Sequence, residues 1–89
     1  MSGKATRSPS LRRAFGAQVR HIRKSRGLTQ VALAATCKLD RTYIGGIERG
    51  EQNPSLECIA KIAKSLGVPV AGLVANVDQE SSAKINELP

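Results

Sequence analysis

The sequence predicts an all-α fold, one domain of five short helices. Three observations carry that expectation. The chain has 89 residues, enough for one small core. Aromatic residues make up only 2% of it, Phe15 and Tyr43 alone, so the core must be built from Ile, Leu, Val and Ala. Helix-starting residues (Thr29, Asp40, Ser55) and helix-stopping glycines (Gly27, Gly50, Gly67) alternate along the sequence between apolar segments of helical period.

Residues 1–9 carry Gly, Ser, Lys and Arg without periodicity and read as a flexible basic arm. Residues 10–77 hold the periodic segments, and residues 78–89 read as a polar, frayed tail. Ser8 or Ser10 suits the cap of a first helix, with Pro9 tolerated in its opening turn. Leu11, Phe15, Val19 and Ile22 place one apolar stripe on that helix, and Gly27 closes it. Thr29 caps a second helix, Gln30–Thr36, and Asp40 caps a third, Arg41–Arg49, its carboxylate matched to the positive helix end. After the loop Glu51–Asn53, Ser55 caps a fourth helix, Leu56–Leu66. Gly67 stops it, and Pro69 opens a short fifth helix to about Val74.

The segment Gln30–Glu48 has the layout of two helices meeting at a tight turn. Leu33, Ala34, Leu39, Ile44 and Ile47 face inward, while Asp40, Arg41, Thr42 and Tyr43 gather at the head of the second helix. That is the arrangement of a helix-turn-helix, whose second helix enters a DNA major groove with its N-terminal residues on base edges.

Charge agrees with this. The net charge is +7, and residues 1–28 carry Lys4, Arg7, Arg12, Arg13, Arg20, Arg23, Lys24 and Arg26 with no Asp or Glu. An anionic partner follows, most simply nucleic acid. One helix cannot aim all its cations at DNA, so several of the arginines solubilise. Cys37 and Cys58 lack metal-ligand spacing and read as reduced, buried thiols, with no metal site. His21 has no nucleophile or carboxylate arranged around it, and no phosphate-cradling loop follows a strand, so no enzymatic chemistry is expected. The apolar runs are too short to span a bilayer, and no signal-peptide core follows the basic N-terminus, so the expected location is cytoplasmic. No cofactor, small-molecule ligand or membrane partner is expected.

Three segments, RKSRGLTQVALA (23–34), LDRTYIGGIERG (39–50) and NPSLECIAKIAKSLGV (53–68), resemble the Cro/CI-type helix-turn-helix family, also called the xenobiotic-response-element family. The resemblance covers about two-thirds of the chain and implies a compact lambda-repressor-like DNA-binding domain. The LDRTYI and GIER segments look most like the controller proteins of restriction–modification systems. That likeness implies a homodimeric transcriptional regulator on an inverted-repeat operator in double-stranded DNA, controlling restriction–modification genes and its own promoter. The alternative is an antitoxin-type or phage-type repressor that acts partly through a protein partner.

Arg41, Thr42 and Tyr43 are the expected base readers, Arg41 through bidentate bonds to guanine. Thr29, Gln30, Arg49, Gln52 and Asn53 are the expected backbone contacts. Arg49 has a competing reading as the ion-pair partner of Glu48 or Glu51, and Glu48 one as the holder of an arginine from the first helix. The fourth helix carries two apolar stripes, Leu56, Ile59, Ala60, Ala63 and Leu66 on one and Cys58 with Ile62 on the other. The latter joins Val70, Leu73, Val74 and Val77 as the expected dimer interface. Two departures from the family stand out. Lys38 takes a turn position usually held by Gly, and Gly45–Gly46 leaves the middle of the third helix bare.

Overall fold

The computed structural model describes residues 9–75 and 77. Among these, five helices run in the expected order: α1 Pro9–Ser25, α2 Gln30–Cys37, α3 Arg41–Glu48, α4 Leu56–Leu66 and α5 Val70–Leu73. The arm of residues 1–8 and the tail of residues 78–89 lie outside the described residues.

Caps set the helix ends. The Thr29 hydroxyl accepts from Ala32 N at 3.0 Å, Asp40 Oδ2 from Thr42 N at 3.0 Å, and Ser55 Oγ from Cys58 N at 3.1 Å. Each satisfies one backbone donor that the first turn would leave unpaired. At the other end α2 closes with Leu39 N on Ala34 O (2.9 Å) and Lys38 N on Ala35 O (3.2 Å). This double closure requires a left-handed residue, and Lys38 takes it at φ 60. The equivalent place after α4 is held by Gly67. Lys38 therefore carries the strain that the missing glycine implies, about 1 kcal/mol.

One core joins all five helices. Phe15, Val19 and Ile22 of α1 meet Leu33, Ala34 and Cys37 of α2, Ile44 and Ile47 of α3, Cys58, Ile62, Ala63 and Leu66 of α4, and Leu73 of α5. Both cysteines are free and buried, as their apolar settings suggest. Burial pushes the Cys58 thiol above its usual pKa.

The packing of α4 corrects the expected dimer surface. Ile62 and Leu73 are 0% exposed, and Cys58 and Val77 are buried too, all within the chain's own core. Only Val70 and Val74 of the six residues remain open to solvent. The two stripes of α4 share Ala63 and Leu66 as neighbours, so periodicity alone does not say which stripe faces in. The side of Cys58 and Ile62 packs inward beside α2, where the Cys37 thiol reaches Ser65 Oγ at 3.3 Å. Leu56 and Ala60 are exposed instead, Leu56 at 73%.

Helices α1 and α3 approach backbone to backbone at Gly16. A Cβ there would overlap the carbonyl oxygen of Ile47 and lie 2.7 Å from that of Glu48. Helix propensity favours Ala over Gly, by about 0.5–1 kcal/mol, but the overlap is with backbone that cannot rotate away. The overlap wins. Gly16→Ala is expected to destabilise the domain by about 1–3 kcal/mol, read as a fall in the urea midpoint.

Candidate nucleic-acid interface

The α2–turn–α3 pair is fixed to α1 by one buried ion pair. Arg23 Nε donates to Glu48 Oε2 at 2.6 Å and Arg23 Nη2 to Glu48 Oε1 at 3.0 Å. The two side chains are 8% and 3% exposed. Arg23 Nη1 also donates to the Leu28 carbonyl at 2.7 Å, so the guanidinium ties the chain before α2 as well. Glu48 thus holds an arginine of the first helix, and the pair is bidentate, the strong geometry for a buried charge.

The same carboxylate orients the surface above it. Gln30 Nε2 donates to Glu48 Oε1 at 3.0 Å, which leaves Gln30 Oε1 turned toward Arg41 Nη1 at 3.5 Å. Half-buried Gln30 is thereby held at the head of α2, and the exposed Arg41 guanidinium rests against it. Thr42 is exposed beside Arg41 at the start of α3. These three residues come together as the sequence suggests.

Tyr43 does not join them. It is half-buried against the core, with its hydroxyl beside Cys58. Burial, and to a lesser degree the Cys58 thiol, raises its pKa. The reason is helical geometry: Tyr43 lies one turn before buried Ile47, on the flank of α3 that faces Cys58 of α4. Its ring lies beside the exposed face that Arg41 and Thr42 share rather than on it.

Beyond α3, Arg49 pairs with Glu51, Nε to Oε2 at 3.0 Å and Nη2 to Oε1 at 3.1 Å, and both groups are exposed. The pairing raises the Arg49 pKa and holds the Glu51 carboxyl below its usual range. Gln52 and Asn53 are exposed on the following loop. The glycines are not bare. A Cβ on Gly45 would lie 3.1 Å from Arg49 Nη1 and 3.6 Å from Gln30 Oε1, and one on Gly46 would lie 2.9 Å from Gln52 Cγ. Side chains from elsewhere lie over both, an arrangement the α3 sequence by itself does not reveal.

The remaining cations divide. Arg12 Nε donates to Gly50 O at 3.4 Å and Arg26 Nε to Leu66 O at 2.7 Å, so both brace the fold. Arg13, Arg20, Lys24, Lys38, Lys61 and Lys64 are exposed. Among the described residues, no group of His, Cys, Asp or Glu is placed to hold a metal ion, and no helix is long and apolar enough to cross a membrane.

A short turn between two packed helices, with a polar exposed head on the second, defines a helix-turn-helix protein. The chain belongs to the helix-turn-helix family HTH_3, whose pattern matches residues 19–73. It is 52% identical over 60 residues to the control protein C.BamHI of Bacillus amyloliquefaciens, covering 66% of this chain and 74% of that one. It is 40% identical over 73 residues to the immunity repressor protein of Bacillus phage phi105, covering 80% of this chain but only about half, 51%, of the repressor. Among solved structures, the restriction-modification controller protein C.Esp1396I is similar at a TM-score of 0.70 and 34% identity, over 79% of this chain and 92% of that one. It was solved as a tetramer in complex with its natural 35 base-pair operator.

Removing the shared carboxylate would strand a buried guanidinium and release Gln30. Glu48→Ala is expected to cost about 3–5 kcal/mol, measured as the loss of unfolding free energy in urea.

Proposed function

We propose that this chain is a sequence-specific, DNA-binding transcriptional regulator. It acts as a homodimer on an inverted-repeat operator, controlling restriction–modification genes and its own promoter. The observation that carries this is the exposed Arg41–Thr42 head of α3, held by Gln30 in a chain of the helix-turn-helix family. The likeness to C.BamHI and to the operator-bound C.Esp1396I supports the restriction–modification role. In this reading Arg41 and Thr42 read base edges, while Thr29, Gln30, Arg49 and Asn53 hold the sugar–phosphate backbone. Arg49 exchanges Glu51 for phosphate on binding. The protein works by binding, not by catalysis, and in the cytoplasm.

The dimer surface moves with the corrected packing. Leu11, Phe15, Pro54, Ile59, Val74 and Val77 line an apolar groove of about 380 Å³. Exposed Val70 lies on the same short helix that leads to Val74. A second copy seated there covers the groove and sets two α3 helices about 34 Å apart, on successive major grooves. A phage-type repressor role is the second reading, favoured by the likeness to the phi105 repressor. Identifying the duplexes bound on the source genome separates the two: sites upstream of restriction–modification genes support the first.

Two measurements test the binding mode. Duplexes selected from a random pool are expected to share a two-fold site, and Arg41→Ala is expected to lose about 1–3 kcal/mol of discrimination at one base pair per half-site. An unchanged preferred site would sink the Arg41 assignment. Val74→Asp is expected to convert dimer to monomer in light scattering. Because Val74 is 38% exposed, its thermal unfolding should move little.

A further inference from the structure

Gly46 is the position on α3 that follows Thr42 by one helical turn, so the two share a face. Thr42 is exposed, yet Gly46 is buried. What covers it is Gln52. A Cβ at Gly46 would lie 2.9 Å from Gln52 Cγ, 3.6 Å from Cδ and 3.3 Å from Nε2. The Gln52 side chain therefore lies along α3 from its stem to its amide, in the space a residue-46 side chain would take. The chain path that delivers it is well fixed. Gly50 turns at φ 79, and Glu51 N donates to Gly46 O at 2.8 Å, which brings the next residue back beside Gly46. Gln52 is exposed, and its amide has no hydrogen-bonding partner among the described residues.

We propose that Gln52 is a base-reading residue, delivering a carboxamide onto the recognition face of α3 through the gap that Gly46 leaves. This rests on the DNA-binding reading above and changes the role that sequence position gives Gln52, that of a backbone contact. A carboxamide offers a donor and an acceptor side by side, the pair that matches adenine N7 and N6–H in the major groove. The expected target is one A·T base pair per half-site, next to the position read by Arg41 and Thr42. Gly46 is then a specificity element without touching DNA. Any side chain there displaces Gln52.

The test measures binding to the selected site and to every single-base-pair change in it, for wild type, Arg41→Ala, Gln52→Ala and Gly46→Ala. Gln52→Ala is expected to bind the preferred site about tenfold more weakly and to accept any base pair at one A·T position, with the rest of the preference kept. Gly46→Ala retains Gln52, and Ala is favoured over Gly within a helix, so a normal melting curve is expected. It should nevertheless relax the same A·T position, and the double variant should lose no more than either single one. Gln52→Ala weakening all sequences alike would mark a backbone contact and overturn the proposal, as would Gly46→Ala with its preference intact. If Arg41→Ala relaxes the preference and Gln52→Ala does not, the Gln52 role alone falls. A wild-type chain without any preferred duplex overturns the DNA-reading function itself.

Discussion

The Arg23–Glu48 ion pair is the constraint on which the arrangement of the first three helices depends. A buried ion pair is a weak source of net stability, because desolvating both charges offsets most of their attraction. Its value here lies in geometry. One carboxylate takes two donors from α1 and one from α2 while sitting in the last turn of α3. Any rotation of one helix against the other two breaks a bond to a charge that water cannot reach. The close approach at Gly16 brings α1 onto the end of α3, right where that pair forms. Backbone contact and ion pair therefore fix the same joint, one by shape and one by charge.

That joint also organises the surface. Of the four carboxylates among the described residues, each is committed locally. Asp40 caps α3, Glu48 is buried with Arg23, Glu51 lies across Arg49, and Glu57 sits in the first turn of α4. The exposed cations Arg13, Arg20, Lys24 and Arg41 consequently keep their field, which favours a polyanion and makes its binding sensitive to salt. Among the described residues, Arg49–Glu51 is the exposed ion pair, and on the proposed reading it is where phosphate competes with a carboxylate. Fully exposed pairs of this kind contribute little, so they exchange readily.

Most of the fold was legible in the sequence because its signals are local. Thr29, Asp40, Ser55 and Gly67 fix helix ends through bonds spanning a few residues, and the structure places the helices within one or two residues of those ends. The α4 faces were not legible, since Ala63 and Leu66 border both stripes and the choice between them depends on α2. The packing of Tyr43 was not legible for a related reason. Its position at the head of α3 suggests a reader, but only the neighbouring helix decides whether an aromatic ring packs or projects. The grouping of Arg41, Thr42 and Gln30 on one surface was legible because it follows from the order of α2, turn and α3. The covering of Gly45 and Gly46 was not, because it is made by residues that lie beyond the helix.

The two glycines change what the recognition helix is. In an ordinary helix of this kind the reading face is written in consecutive turns of one element, and each side chain is held by its own backbone. Here the first turn supplies Arg41 and Thr42, while the next is surfaced by Arg49 and Gln52 reaching back over Gly45 and Gly46. Arg49 is placed by its own backbone bond to Gly45 O, and Gln52 by the turn at Gly50 and the bond from Glu51 N to Gly46 O. The face is thus composed of one helix and one loop, and its shape depends on tertiary structure. If that face reads DNA as proposed, changes in the loop can alter what is read without altering α3. By the same logic, adding a single methyl to α3 can alter it through a residue six positions away.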